Sequence, residues 1–333
     1  MASSDCRGNL WVIVLAAGEG ERLSTLTRAL HGRHVPKQFA SLWGERTFLT
    51  RTLDRIGWLA PRKRTIVVVA DDCKALAEEQ LRGYPGVEPV YQPSNCGTGA
   101  GVLLPLAHVL ARDPAARVVL FPSDHHVEWG TPFRDAIRRA VLATDSAPSH
   151  VALIGASAES AATDLGWIDC GEELGCSAIH ALRVKAFVEK PVTSVAVDLL
   201  RRGALWNTMI VAARGRCLWE LADRHIPEVC WCFLNYRELV RERRADGFLR
   251  GIYPGLPITD LCRDVLQRAK GLAVVSMTGA GWSDCGTPER LFRAMAPSHE
   301  DTRLLLRIER QDPYFDDVAA AGWRRRLEAH RAN

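Results

Sequence analysis

What this sequence is short of narrows its reading before any motif does. Lysine is scarce: of 43 basic residues only six are lysine (Lys37, Lys63, Lys74, Lys185, Lys190 and Lys270), leaving 37 arginines. Where arginine serves almost every positive charge, a lysine inside a motif marks a place that wants a compact point charge with three donors. The ten cysteines include no C-x-x-C pair, which argues against a zinc site or a dithiol redox motif. Cys230-Trp231-Cys232 is too tight for metal spacing and reads as small residues packed in a helix. No disulfide framework of the secreted type is visible, so a reducing cytoplasm is the expected setting. No apolar run reaches the roughly 20 residues of a membrane span. A net charge of +4 dispersed over 333 residues leaves no footprint for nucleic acid or an anionic membrane. The basic cluster Trp323-Arg324-Arg325-Arg326 reads as a solvated helix face. Arg7 and the apolar run after it mimic a short signal peptide, but removing them would delete the first strand and the loop that follows.

What is present is ordinary for a globular protein: 47% hydrophobic and 25% charged residues. Apolar, β-branched runs at 10–17, 65–70, 87–91, 118–122 and 151–156 alternate with helical patterns at 47–56, 73–81 and one opened by the segment 92–101 and running through Leu110. That spacing predicts a doubly wound α/β sheet. Its right-handed crossovers place ligands in the crevice at the carboxyl ends of the strands. Later strands are expected at 184–191 and 272–277, with helical patterns at 218–244 and 259–268.

The first strand stops at Gly18-Glu19-Gly20-Glu21-Arg22. Glycines there admit positive φ and bring bare N–H groups against a ligand, and phosphate suits such a nest. Arg22 and Lys37 bracket the loop and supply counter-charge. It is not a Walker loop, because no Gly-Lys-Ser/Thr ending exists. It is not a dinucleotide fingerprint either, because Leu23 stands where a third glycine belongs and the next strand ends at Asp71, too late. Asp124 follows the fourth strand after a proline stop and is placed to hold a divalent cation. His125 and His126, with no third ligand at a recognisable spacing, read as supporting residues. Asn95, Gly97 and Thr98 open a helix whose N–H groups suit an anion or a base edge, unless Ser94 or Thr98 is simply a cap. Glu189 and Lys190 alternate along a strand, so both can serve one ligand only if the strand ends there, as Pro191 requires.

Taken together these segments resemble the sugar-1-phosphate nucleotidyltransferases. Leu15-Ala16-Ala17-Gly18-Glu19-Gly20-Glu21-Arg22-Leu23 with Pro36-Lys37-Gln38-Phe39 is similar to the family's L-x-G-G-x-G-T-R-L and P-K-Q, and the P-K-Q-F form points toward mannose-1-phosphate guanylyltransferases. Further marks follow in family order: Ser123-Asp124-His125, Thr163-Asp164-Leu165-Gly166-Trp167-Ile168, Phe187-Val188-Glu189-Lys190-Pro191, Trp206-Asn207-Thr208-Met209 and Trp282-Ser283-Asp284-Cys285-Gly286. The resemblance implies a three-layer α/β/α domain at 1–297 with a mixed, mostly parallel, Rossmann-like sheet. A helical extension fills 298–333, with no hexapeptide repeat and so no β-helix domain.

The resemblance also implies the reaction: sugar 1-phosphate plus NTP gives NDP-sugar plus pyrophosphate. Arg22, Lys37 and Lys190 would be catalytic. Ala16, Ala17, Gly18, Gly20, Asn95, Gly97 and Thr98 would bind the nucleotide. Gly166, Glu189, Lys190 and Asn207 would bind the sugar phosphate, and Asp124 and Asp284 would hold Mg²⁺. The expected partners are an NTP, GTP favoured, and a hexose 1-phosphate, mannose 1-phosphate favoured; neither nucleic acid nor membrane is expected, and a homo-oligomer is left open. The sequence departs from the pattern in five places. Glu21 stands for threonine, the Arg22-to-Lys37 interval is longer than in typical relatives, and Ser24-Thr25-Leu26-Thr27 replaces W-P-L-S. Trp167 replaces a tyrosine of the sugar platform, and Met209 stands where the family's glycine follows Asn207 and Thr208.

Overall fold

Unbroken β-branched runs such as Thr65-Ile66-Val67-Val68-Val69-Ala70 have no polar face to offer water, so they form strands covered on both sides. The computed structural model describes residues 9–312 other than 129, 176–178, 243–244, 246 and 296–299; Arg7 and the basic cluster at 323–326 lie outside them. The strands are β1 (Leu10–Ala16), β2 (Thr65–Ala70), β3 (Glu88–Gln92), β4 (Arg117–Pro122), β5 (Val151–Ser157), β6 (Gly166–Glu173), β7 (Ala181–Glu189), β8 (Leu205–Arg214) and β9 (Ala273–Ser276). The helices are α1 (Ser24–His31), α2 (Phe48–Ile56), α3 (Lys74–Leu81), α4 (Gly97–Arg112), α5 (Thr131–Ser146), α6 (Thr193–Arg201), α7 (Gly215–Asp223), α8 (Pro227–Arg241), α9 (Phe248–Ile252), α10 (Pro288–Met295) and α11 (Glu300–Gln311).

The chain divides into two compact units. The larger takes residues 1–17, 57–122 and 129–280, and the smaller takes 18–56, 123–128 and 281–333. All nine strands belong to the larger unit, in the order β3-β2-β1-β4-β8-β5-β9-β7-β6. Strands β3, β2, β1 and β4 are parallel, and β5 is parallel to β9. Strand β8 is antiparallel to β4, β5 and β6, and β7 is antiparallel to β6 and β9. The expected mixed sheet is therefore parallel in its N-terminal block and largely antiparallel beyond it. The β6–β7 connection is too short for the crossover that a parallel pair requires.

Period-two alternation gives each strand two faces. Trp11, Ile13, Val118, Leu120, Val151, Leu153, Val211 and Ala213 share one apolar cluster with Leu103 and Leu106 of α4, Leu218 of α7 and Phe233 of α8. Val12, Val14, Val67 and Phe121, at the alternate positions, are equally buried. There α5 covers the sheet, with Phe133 6.4 Å from Phe121 between ring centroids. The result is the α/β/α sandwich. Two expectations are corrected in detail. The 218–244 pattern is broken at Ile226-Pro227 into α7 and α8, with the proline at the first turn. Residues 259–268 hold a π-helical turn, Leu261–Leu266, in place of an α-helix.

In the smaller unit, α1 takes up the long interval between Arg22 and Lys37. It ends at Gly32, whose φ of 68° gives a left-handed stop. Helix α11 secures the loop after Lys37: Arg307 donates to the carbonyls of Ser41 (2.8 Å) and Gly44 (2.9 Å).

Candidate functional site

The glycine loop of the smaller unit is shaped by Lys37. Gly20 has a φ of 66°, and a Cβ on it would stand 2.7 Å from the Lys37 backbone nitrogen. Both facts demand glycine at that position. Gln38 Nε2 donates to Gly18 O at 2.7 Å, which ties the Pro36-Lys37-Gln38-Phe39 turn to the loop. Arg22 reaches outward on a short 3-10 turn (Glu21–Leu23), and Glu21 beside it is exposed. With the longer interval, Lys37 lies against the glycine loop.

Lys37 is buried and acts as a hub. Its Nζ donates to Asp124 Oδ2 (3.2 Å) and to the main-chain oxygen of Asp284 (2.5 Å). The two aspartates, 160 residues apart in sequence, are held together by an antiparallel bridge: His126 N–H donates to Ser283 O (2.8 Å) and Ser283 N–H to His126 O (3.1 Å). Arg22 Nη2 is 4.0 Å from Asp284 Oδ2, and Arg290 Nε is 3.2 Å from Asp284 Oδ1. A Cβ on Gly286 would stand 2.2 Å from Asp284 Oδ2 and 2.8 Å from Arg22 Nη2, so this glycine clears the space in which carboxylate and guanidinium meet. Burial, the largest single effect, pushes the Asp124 carboxyl up, but Lys37, His125 and a backbone hydrogen bond together hold its pKa below the ordinary carboxylate range. Burial holds the His125 imidazole neutral, and burial with Arg55 and Arg51 brings His126 down to about 3. His126 stacks on Trp43 at 4.1 Å and His125 meets Trp282 edge-on at 5.4 Å, so both work as supports.

In the larger unit, Gly166, Glu189 and Asn207 converge. A Cβ on Gly166 would lie 2.6 Å from Glu189 Oε2 and 3.2 Å from Asn207 Cβ. Strand β7 ends at Glu189, and Lys190 turns left-handed (φ 46°), which carries its Nζ back to 3.5 Å from Glu189 Oε1. The break before Pro191 thus brings two alternating side chains together. Burial raises the Glu189 pKa, with Lys190 opposing and Asp260 adding to the rise. Asn207 Nδ2 donates to Cys262 Sγ at 3.4 Å, and its Oδ1 accepts from Met209 N–H at 3.2 Å. Trp167 is a correction: it is fully buried, donates to Ala162 O at 2.8 Å and meets Trp206 edge-on, so it is core and no sugar platform. Ala16 closes β1 and is buried. At the start of α4, Asn95 Oδ1 accepts from Gly97 N–H (3.0 Å) and Thr98 Oγ1 from Leu261 N–H (2.8 Å). Neither Ser94 nor Thr98 caps the helix.

A model of the nucleotidyl transferase family matches residues 11–301. The chain belongs to that family. AlgA, an alginate biosynthesis protein of Pseudomonas syringae pv. tomato, is 27% identical to it over 290 residues, covering 85% of this chain and 58% of AlgA. A mannose-1-phosphate guanylyltransferase of Klebsiella pneumoniae is 26% identical over 302 residues, covering 88% of this chain and 61% of the relative. The chain thus spans about three-fifths of the length of these two relatives. A crystal structure described as a mannose-1-phosphate geranyltransferase from Thermus thermophilus superposes with a TM-score of 0.73 at 29% identity, over 86% of this chain and 79% of that one. A UDP-glucose pyrophosphorylase structure at 12% identity and a TM-score of 0.56 shares the fold, over 88% of this chain and 98% of that one.

The donor set of this family member suits a hard cation. Asp124 and Asp284 flank Lys37 Nζ, and among the described residues no group of three or more His, Cys, Asp or Glu is placed to hold a metal by protein ligands alone. Two carboxylates with room for water and phosphate oxygens is how Mg²⁺ is commonly held. Three supports escaped the sequence reading. Arg290 steadies Asp284 from α10. Arg55, buried in α2, donates to the carbonyls of His125 and Val127 at 3.3 Å each. Gln267 Oε1 accepts the Glu189 N–H at 2.8 Å. Only Arg55 left a trace in the sequence, as a charged residue on the apolar face of an amphipathic helix.

Proposed function

We propose that this chain transfers a nucleotidyl group from an NTP to a hexose 1-phosphate, releasing pyrophosphate, with GTP and mannose 1-phosphate as the favoured pair. The observation that carries the reading is Lys37 Nζ, buried and bonded to both Asp124 and the Asp284 backbone beside Arg22. A cation hub between two aspartates on a glycine loop suits a polyphosphate whose charge must be neutralised while one phosphorus is attacked. The curated relatives named for mannose 1-phosphate support the substrate choice.

In this reading a phosphate oxygen of the sugar 1-phosphate bonds to the α-phosphorus of the NTP as the bond from that phosphorus to the β-phosphate bridge oxygen breaks. Pyrophosphate leaves with the electron pair. The nucleophile is already ionised near neutral pH, so no general base is required. Gly18 and Gly20 let backbone N–H groups approach the phosphates, with Ala16 and Ala17 leading the chain to them, and Arg22 and Lys37 neutralise the leaving group. Lys190 binds the sugar phosphate; Glu189 and Asn207 bind sugar hydroxyls over the space that Gly166 leaves. Asn95, Gly97 and Thr98 shape the base-side turn. Asp124 and Asp284 would hold Mg²⁺, which supplies charge neutralisation at the α-phosphate. We assign catalysis to residues 1–297, with 298–333, most of which lies outside the described residues, as an extension, working in the cytoplasm; the eight described cysteines are all unbonded, which suits a reducing compartment.

Pyrophosphate release from GTP and mannose 1-phosphate with Mg²⁺ tests the reading, and a panel of NTPs and hexose 1-phosphates tests the substrate choice. UTP or dTTP with glucose 1-phosphate outperforming the favoured pair would reassign the substrates. One observation favours a second reading, a silent sugar-nucleotide sensor: Glu21 presents an exposed carboxylate on the phosphate loop. GDP-mannose binding without turnover of any pair would decide for the sensor.

A further inference from the structure

Residues 259–267 carry no recognised site residue, yet their contacts reach both substrate groups of the larger unit. Thr259 N–H donates to Cys96 O (3.0 Å), and Thr259 O accepts from Gly99 N–H (2.9 Å). A Cβ on Gly97 would stand 2.2 Å from Thr259 O, and one on Gly99 would stand 2.3 Å from Thr259 Oγ1. Both glycines are therefore required by this passing chain, whatever they offer a nucleotide. Leu261 N–H then donates to Thr98 Oγ1 at 2.8 Å. At the next residue Cys262 Sγ takes the Asn207 amide (3.4 Å), and at the end of the turn Gln267 Oε1 takes the Glu189 N–H (2.8 Å).

The π-helical turn explains how one short segment does both. Cys262 and Gln267 are five residues apart, and on an α-helix they would point about 140° away from each other. Here Gln267 N–H bonds to Cys262 O at 2.8 Å, the i→i+5 pattern, which winds the turn wider and brings the two positions toward one side. The turn is locked from within: Asp260 Oδ1 accepts from Arg263 N–H (2.9 Å) and Asp264 Oδ2 from Asp260 N–H (2.7 Å).

We propose that residues 259–267 form a positioning strut that couples the base-side turn at 96–99 to Glu189 and Asn207, with Gln267 as the positioning residue for Glu189. The proposal rests on the reading of those groups as nucleotide and sugar contacts. Gln267 sets the point at which β7 gives way to left-handed Lys190, so losing its acceptor loosens the direction of both the acid and the lysine. Thr98 ties the other end of the strut through the Leu261 amide.

Two variants test it. Gln267→Leu removes the acceptor, and we expect the KM for the hexose 1-phosphate to rise about five- to tenfold with a smaller change in kcat. Gln267→Glu keeps an acceptor oxygen and should restore the KM to within about twofold. Thr98→Val removes the base-side tie and should raise the KM for the hexose 1-phosphate as well as for the NTP. Amide hydrogen exchange reads the same coupling without catalysis: Thr98→Val should speed exchange at Leu261 and also at Glu189. The strut is overturned if Thr98→Val moves only the NTP constants and only the Leu261 amide. It is equally overturned if Gln267→Leu leaves the Glu189 amide and the sugar constants unchanged. A wild-type protein that turns over no substrate pair overturns the proposed reaction instead, and the exchange measurements still decide the strut.

Discussion

Replacing Lys37 by methionine is the perturbation that separates the proposed hub from an ordinary surface pair. Methionine keeps the stem beside the Phe48 ring, which lies 5.2 Å from Nζ, and removes only the charge and its donors. The Lys37 side chain is 4% exposed and that of Asp124 is 34% exposed. Breaking a fully buried ion pair from one side costs about 3–5 kcal/mol. Water reaches a third of Asp124 and screens part of this, so about 2 kcal/mol of folding stability is the expected loss. The orphaned Asp284 carbonyl adds about 1 kcal/mol.

The sign of the pH dependence is fixed by Asp124, whose carboxyl lies below its ordinary pKa because Lys37, with His125 and a backbone hydrogen bond, together outweigh burial. A depressed carboxyl stabilises the folded chain fully above its unfolded pKa of about 3.9, and the contribution is lost as pH falls through the lower folded value. Urea unfolding should therefore show the full gap between wild type and Lys37→Met at pH 7, narrowing as pH is taken below about 4. A gap under about 0.5 kcal/mol at pH 7 would place the pair in the surface class, and a gap independent of pH would remove Asp124 from the account. In turnover, loss of a charge aimed at the leaving group should lower kcat by about 10²–10³. A variant with near-normal kcat would strip Lys37 of its role while leaving the stability argument intact.

Three further outcomes follow from other parts of the molecule. Asp284→Asn should cut kcat by at least about 10² with little change in the KM for the hexose 1-phosphate, and an unchanged kcat would remove it from the metal pair. Gly20→Ala must hold a left-handed residue (φ 66°) and find room for a Cβ 2.7 Å from Lys37 N; a loss of at least about 2 kcal/mol by denaturant titration is expected, and a variant as stable as wild type would refute the close approach. Glu88, beside His108 (3.0 Å) and bonded to Arg112, is brought down to about 2, chiefly by the His108 bond, against burial and with Arg112 helping. It is 40% exposed, so Glu88→Gln should cost only about 1 kcal/mol at pH 7; that difference should shrink between about pH 4 and 2, and a difference that grows on acidification would reverse the assignment.

The candidate residues that were legible, in each unit by itself, are those where chemical identity and a strand end coincide. Asp124 follows the β4 stop, and Glu189-Lys190 precedes Pro191; a chain break aims such side chains without help from distant residues. Polar side chains at a helix start carry a second task that the sequence did not show. Asn95 Oδ1 takes the Gly97 amide and Thr98 Oγ1 takes an amide 163 residues further on. No local pattern announces a backbone that arrives so late. Trp167 went wrong for a related reason: read as part of a turn it is a platform, but it is the second residue of β6, where alternation against β7 and β8 turns it inward.

Backbone strain marks where propensity reasoning stops working. Among the described residues, five that are not glycine take positive φ, and three of them abut site residues: Lys190 after Glu189, Met209 two past Asn207, and Cys285 after Asp284. Each such residue costs about 1–2 kcal/mol relative to a glycine-like position. The cost is offset locally: Asn207 Oδ1 accepts the Met209 N–H, Leu165 O accepts the Lys190 N–H, and Ser283 Oγ accepts the Cys285 N–H. The hydrogen bonding of β8 runs on through the left-handed Met209, and Asn207 stays beside Cys262. The glycine missing from the Trp206-Asn207-Thr208-Met209 motif is therefore no sign of decay: Met209 holds the left-handed geometry a glycine would take, and its sulfur, 3.1 Å from Cys262 Sγ, ties that geometry to the π-helical turn.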